Sequence, residues 1–221
     1  MAIKHVIFDF DGTLANTLSV VEYSLIQVFQ KFDGRILTHE EFLSMCGPSE
    51  TGIISKYFSK KDNIEEAIAE FFQLYEDKHD DLVDRFSFID ELLRDLRRTD
   101  VRLGLFTGKT RRSLEISLQK LNFDHSFDVM ITGDDVKESK PSPEGLLMAM
   151  QVLDATREET VFIGDSDDDM QAGWRANVRT IGAQWMPAKQ STEYQHVPEH
   201  IFNDVSDLRE LLSQHIAGFP Q

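Results

Sequence analysis

The sequence predicts an α/β fold: a Rossmann-like parallel sheet flanked by helices, carrying an inserted all-helical domain. Three observations predict it. Ile3 to Phe8 is an apolar run of strand length that stops abruptly at Asp9, and such a run reads as a strand buried on both faces of a parallel sheet. From about residue 83 onward strand and helix patterns alternate, the order that builds a parallel sheet with helices on both faces. Between them, residues from about 15 to 82 show helical patterns and no strand. The expected division is therefore 1–14 with 83–221 as an α/β core, and 15–82 as a helical cap inserted after the first strand.

The first strand leads into Asp9-Phe10-Asp11-Gly12-Thr13, two carboxylates around one residue and then turn chemistry. In the insertion, Val21, Leu25, Val28, Phe29 and Phe32 mark one face of a helix that Gly34 should stop. Thr38-His39-Glu40-Glu41 reads as a capping box, Cys46-Gly47-Pro48-Ser49 as a loop, and Ile53 to Phe58 as a resumed apolar pattern. Asp62 should cap a helix whose buried side holds Ile64, Ala67, Ile68, Phe71, Leu74 and Tyr75. In the core, Ile89 to Leu96 is a helix, Val101 to Phe106 a strand ending at Thr107-Gly108, and Leu114, Leu118 and Leu121 a helix face. Phe127 to Thr132 should be the next strand. Ser142 should then cap a helix with Pro143 at its first position, a favoured place for proline. Thr160 to Ile163 is a strand ending at Gly164-Asp165, followed by a helix from about Asp168 and a strand from Val178 to Gly182. Ile201-Phe202 reads as a short edge strand, and Val205 to Ile216 as the closing helix.

Composition sets limits. The 221 residues include 41% apolar residues and 16 Phe, enough for a real core, and no stretch approaches the length of a membrane span. A net charge of −16 argues against a nucleic-acid backbone as partner. One cysteine, Cys46, and an opening segment without a secretory apolar region point to the reducing cytoplasm. Oligomeric state is not legible.

Ligands of open α/β sheets gather at the carboxyl ends of the strands. Four such ends deliver polar residues here: Asp9 with Asp11, Thr107, the Lys140 loop, and Asp165 with Asp169. Acids in that position are costly to desolvate without a cation, and hard carboxylate oxygens suit Mg²⁺. Together these groups could supply a nucleophile, an acid/base, metal ligands and phosphate donors for phosphoryl transfer. Other strings fail. Asp165 to Asp169 opens like a calcium loop, but Met170 stands where glycine is required. His196-Val197-Pro198-Glu199-His200 matches a zinc-protease string, but Pro198 breaks the helix that string needs, so both histidines read as loop residues.

The residues resemble the haloacid dehalogenase-like hydrolases, and within them the phosphoglycolate phosphatase-like branch. Asp9-Phe10-Asp11-Gly12-Thr13-Leu14 is similar to that family's first motif, and Leu105-Phe106-Thr107-Gly108 to its second. Lys140-Pro141-Ser142-Pro143 is similar to the third, and Gly164-Asp165-Ser166-Asp167-Asp168-Asp169 to the fourth. The resemblance covers almost the whole chain and implies a Mg²⁺-dependent phosphatase acting on a small phosphorylated metabolite. Asp9 would be the nucleophile, forming an aspartyl-phosphate, and Asp11 would protonate the leaving oxygen and later deprotonate water. Mg²⁺ would be held by Asp9, the Asp11 carbonyl and Asp165. Asp169 would steady a metal-bound water or Lys140, or else simply favour a helix N-terminus, the reading given to Asp167 and Asp168. Thr107, Gly108 and Lys140 would hold the phosphoryl group, with Lys109 the best placed of the basic cluster Lys109, Arg111 and Arg112. From the cap, Gly47, Ser49 and Glu50 would face the leaving group, and Arg35 and Lys56 an anionic tail.

The acid at Asp11 separates the chain from the dehalogenases it resembles, and the cap loop lacks the lysine of a phosphonoacetaldehyde hydrolase. Hydrolysis of inorganic pyrophosphate and a phosphosugar mutase on the same scaffold remain open. So do a phosphoryl-storing signalling receiver and a catalytically silent binding protein.

Overall fold

The computed structural model describes residues 2–188, 190–191 and 193–220. Six strands form one parallel sheet in the order β3-β2-β1-β4-β5-β6. They are β1 (His5–Phe8), β2 (Arg102–Phe106), β3 (Val129–Ile131), β4 (Thr160–Gly164), β5 (Arg179–Ala183) and β6 (His200–Phe202). The apolar opening run lies between two neighbours: Phe8 is level with Leu105 on β2 and with Ile163 on β4. Strand order reverses between β1 and β4, where open α/β sheets place their ligands.

Side chains alternate across the sheet, as the pleat requires. Val6, Phe8, Leu103, Leu105, Val161 and Ile163 share one cluster with α5 (Ser87–Arg97), α6 (Arg111–Leu121) and α9 (Val205–His215). Ile7, Phe106 and Phe162 join the other face to α7 (Glu144–Leu153) and α8 (Asp167–Ala176). A third cluster belongs to the segment between β1 and β2. It joins Val20, Leu25, Phe29, Phe42, Ile54, Phe71 and Tyr75 from α1 (Leu18–Val28), α2 (His39–Met45), α3 (Glu50–Tyr57), α4 (Ile64–Leu82) and the turn after α1. α4 also packs on α6.

Several local expectations need correction. The first helix does not stay α-helical to Gly34. Phe29–Asp33 widens into a π-helical turn, and it ends with Asp33 buried and its Oδ1 accepting from Ser59 N, Ser59 Oγ and Lys60 N. Gly34 does end it, at φ +76°. The Thr38/Glu41 capping box forms in full. Asp62 does not cap α4: it sits in a 3₁₀ turn, and Asn63 takes the cap position without a side-chain bond. Pro143 precedes α7 instead of opening it, and Ser142 Oγ accepts from Glu144 N at 3.3 Å. α8 starts at Asp167 because Ser166 and Asp169 form a capping box. His200 opens β6, so only His196 of that pair is a loop residue.

Candidate active site

Asp9 extends the β1 ladder by one residue, its N–H donating to Ile163 O at 2.8 Å. Thr107 does the same for β2 through Ile131 O at 3.0 Å. Asp165 directly follows β4, so all three stand on one rim of the sheet. The turn after Asp9 is drawn tight by the Gly12 N–H to Ala15 O bond and held from outside by Trp185 Nε1, which donates to Thr13 O at 2.8 Å. Gly12 has φ +80°, and a Cβ there would stand 2.3 Å from Asp165 Oδ2. Only glycine lets this turn and Asp165 approach so closely.

Lys140 reaches in from the loop before α7. Its Nζ donates to Asp9 Oδ1 at 2.7 Å and to Asp169 Oδ1 at 2.6 Å. The other oxygen of Asp169, Oδ2, accepts from Ser166 N and Ser166 Oγ at the start of α8. Oxygens of Asp9, Asp165 and Asp169 lie within 4.8 Å of one another, and all three residues are buried. Burial, above all, raises the Asp9 carboxyl to about 7, with Asp169 and Asp11 adding to the rise and Lys140 opposing it. Asp165 is pushed well above the usual carboxylate range by burial and then by the charges of Asp169 and Asp9. Burial alone would drive the Lys140 ammonium down, but Asp169 and Asp9 outweigh it and lift its pKa. Asp165 Oδ2 accepts from Gln190 N at 2.6 Å, whereas its buried Oδ1 has no partner among the described residues. Clustered acids with an unshared buried oxygen suit a divalent cation, which would relieve both desolvation and repulsion.

The rim opens into a cavity of about 90 Å³. On the sheet side Asp9, Asp11, Thr107, Gly108, Lys109 and Lys140 line it; α1 to α3 contribute Leu18, Val21, Phe42, Glu50 and Ile53, and the loop between α2 and α3 contributes Cys46, Gly47 and Pro48. Burial first, then nearby acids, pushes the Cys46 thiol up to about 11, far from a reactive thiolate. Of the residues expected around a substrate, Ser49 does not line this cavity. It packs against the Gly133 turn, and its hydroxyl lies 3.4 Å from that of Thr51. Arg35 and Lys56 do not line it either. Arg35 donates to Tyr57 O and lies over Phe29, and Lys56 lies over the Tyr57 ring. Arg111 is held by Asp135 and Met130 O, and Arg112 rests on Phe72.

Three contributors were not foreseen. Thr17 Oγ1 donates to Asp11 Oδ1, and no sequence signal marks a partner six residues away. Gln190 and Ser166 also border the site; of these only Ser166 left a trace, in the Ser166-x-x-Asp169 capping pattern. Asp167 accepts from Gln195 N and His196 N and so ties down the loop that carries Gln190. No helix among the described residues is long and apolar enough to cross a membrane.

A family model described as haloacid dehalogenase-like hydrolase matches residues 6–183. A Bacillus mycoides (strain KBAB4) protein named pyrophosphatase PpaX is 32% identical over 214 residues, 97% of this chain and 99% of its own length. Among solved structures, CbbY from Rhodobacter sphaeroides in complex with phosphate has a TM-score of 0.80 at 20% identity, covering 93% of this chain and 96% of that one. A haloacid dehalogenase-like hydrolase from Bacteroides fragilis has a TM-score of 0.77 at 26% identity, covering 93% and 99%. With its motifs at the strand ends, a family match over residues 6–183 and a relative of this similarity over nearly the full length, the chain belongs to the haloacid dehalogenase-like hydrolases.

Proposed function

We propose that this hydrolase is a Mg²⁺-dependent phosphatase that moves the phosphoryl group of a small phosphorylated metabolite to Asp9 and then to water. The observation that carries the reading is the setting of Asp9. It stands at the end of a central strand with Lys140 on its Oδ1, two more buried acids within 4.8 Å, and Asp11 two residues on. A carboxylate so placed has a cation to orient it and an acid near the leaving group, the pairing that covalent phosphoryl transfer needs.

In the first step a bond forms between Asp9 and phosphorus as the bond to the leaving oxygen breaks, and Asp11 donates the proton that oxygen takes up. In the second step water attacks phosphorus, its proton passes to Asp11, and the bond to Asp9 breaks. The Thr107 hydroxyl, the Gly108 N–H and Lys140 would hold the phosphoryl oxygens, where charge develops. The carboxylates of Asp9 and Asp165 and the carbonyl of Asp11 are the oxygens that would hold Mg²⁺, with Asp169 fixing Lys140 beside them. When bound, that ion neutralises the repulsion between an anionic nucleophile and an anionic phosphate. Residues 1–14 and 83–221 act as the catalytic core, and 15–82 as a cap that excludes bulk water and polymers. A cytoplasmic location and the phosphoglycolate phosphatase-like branch belong to the same reading.

The 32% identity with a protein named pyrophosphatase, over nearly both full lengths, favours inorganic pyrophosphate as a second substrate reading on the same residues. One experiment tests both. A panel of phosphomonoesters, pyrophosphate and a phosphosugar is assayed with and without Mg²⁺, for wild type and Asp9→Asn. The variant is expected to retain less than about a hundredth of wild-type turnover; more than that refutes Asp9 as nucleophile. Repeated turnover separates the enzyme from a phosphoryl-storing receiver, and isomerisation of the phosphosugar without phosphate release would identify a mutase.

A further inference from the structure

Lys109 and Glu50 were expected to bind substrate from opposite sides of the cavity, and the structure gives them to each other. Lys109 Nζ lies 3.0 Å from Asp11 Oδ1 and 3.2 Å from Glu50 Oε1, with its side chain fully buried. It also stands 4.8 Å from the centre of the Tyr75 ring. Glu50 is buried too, and its other oxygen accepts the Thr110 N–H at 2.8 Å, so both of its oxygens are tied to the loop after β2. An ammonium has three donors and no acceptor. Two carboxylates and an aromatic face engage this one, leaving it a poor hand for a substrate phosphate.

The pair sits beside the group that would move the proton. Among the described residues the side-chain partners of Asp11 are Thr17 and Lys109. Thr17 comes from the segment entering α1, Lys109 from the core, and Glu50 from the first residue of α3. The geometry points to a positioning relay: Glu50 fixes Lys109, and Lys109 fixes the Asp11 carboxylate, so that Asp11 is set only when α3 is seated on the loop after β2. This rests on the reading of Asp11 as acid and base.

Stability alone gives no reason for the arrangement. A buried lysine between two acids contributes about as much as well-packed apolar residues of the same volume, or less. Lys109 Nζ also cannot swing to a phosphate without taking the cation away from Asp11 and from the buried Glu50.

The test uses Lys109→Met, which keeps the aliphatic stem, Glu50→Gln, which keeps an acceptor for Thr110 N–H, and the double variant. Each is assayed on an alkyl phosphate, whose leaving oxygen needs a proton, and on 2,4-dinitrophenyl phosphate, whose leaving group does not. Lys109→Met is expected to lower kcat/KM, which reports transfer to Asp9 and not the later hydrolysis that both esters share, about 100-fold on the alkyl ester and less than about threefold on the dinitrophenyl ester. Glu50→Gln should do the same to about a tenth of that extent, and the double variant should match Lys109→Met alone, as residues acting in series do. Crystal structures of the two single variants should show the Asp11 carboxylate displaced from its wild-type position.

A raised KM with unchanged kcat on both esters would make Lys109 a substrate ligand, and equal losses of kcat/KM on both esters would leave it a packing role. Additive losses in the double variant, or an unmoved Asp11 in both crystals, would also overturn the relay. A wild type that hydrolyses no phosphorylated compound, or an active Asp9→Asn, would overturn the underlying phosphatase reading instead, and the crystal comparison would still decide the relay.

Discussion

Replacing Lys140 by Met removes the lysine that bridges Asp9 and Asp169. Its Nζ lies 2.7 Å from Asp9 and 2.6 Å from Asp169, and those two acids are 2% and 0% exposed. Removing one partner of a buried ion pair costs about 3–5 kcal/mol, because the remaining charge stays desolvated. For 221 residues the entropy of unfolding is about 0.46 kcal/mol per degree, so the thermal midpoint should fall by about 6–11 °C. The loss depends on pH. Asp9 already has its pKa raised to about 7, mainly by burial, with Lys140 opposing the rise. Without Lys140 it rises further, so at low pH Asp9 takes a proton and the penalty shrinks. The drop in midpoint should therefore be largest near about pH 8 and smallest near about pH 5. Mg²⁺ supplies positive charge to the same acids, and an excess of about 100 times Kd adds about 2.7 kcal/mol. Calorimetry of wild type and Lys140→Met, in chelator and in Mg²⁺ at both pH values, measures all of this. A variant within about 2 °C of wild type in chelator at the higher pH would refute the reasoning.

Other perturbations separate the parts of the site. Gly12→Ala forces an L residue to φ +80° and places Cβ 2.3 Å from Asp165 Oδ2. It should cost about 1–2 kcal/mol in backbone strain and weaken Mg²⁺ binding in a calorimetric titration. Gly218→Ala, at φ +78° with nothing within 4 Å, should lose stability alone, and equal metal affinity in the two variants would contradict the close approach. Asp9 in the metal-free protein holds its proton to about pH 7 while the unfolded chain releases it near 3.8. Its share of stability is thus full below the lower value and lost as pH rises through that window, and Mg²⁺ should flatten the slope of urea midpoint against pH. His79 behaves in the opposite sense. Burial first, and then Lys109, lowers it from 6.5 to about 4, so stability should fall as pH drops through that range, by about 3 kcal/mol in all. His79→Gln should remove that slope in the same urea measurement; an unchanged slope would place the titration elsewhere.

Much of this was legible because it is local. Asp9 and Asp11 follow an apolar run, Gly34 sits where a left-handed residue must end a helix, and Thr38 and Glu41 cap each other within one turn. The alternation of strand and helix gave the sheet, and four strand ends gave its loaded rim. What escaped depends on contacts between distant residues. Glu50 and Lys109 are 59 positions apart, and nothing in either neighbourhood says that two charged groups will be buried against each other. Arg35 and Lys56 were chosen as cations of the insertion, but charge does not report which face of a helix meets the cavity. Their guanidinium and ammonium lie on Phe29 and Tyr57 instead. Asp62 and Ser142 have the right chemistry for caps, yet each helix begins later, because a 3₁₀ turn and Pro143 occupy the preceding residues.

The phosphorylated form of Asp9 is the most direct object of measurement. Wild-type enzyme mixed with radiolabelled substrate and Mg²⁺, quenched in acid within a single turnover and digested, should carry label on the peptide containing Asp9. Hydroxylamine should release that label, as it does from acyl phosphates, and the Asp9→Asn protein should carry none. Label appearing only in free phosphate at every time point, with Asp9→Asn still turning over, would contradict the covalent route.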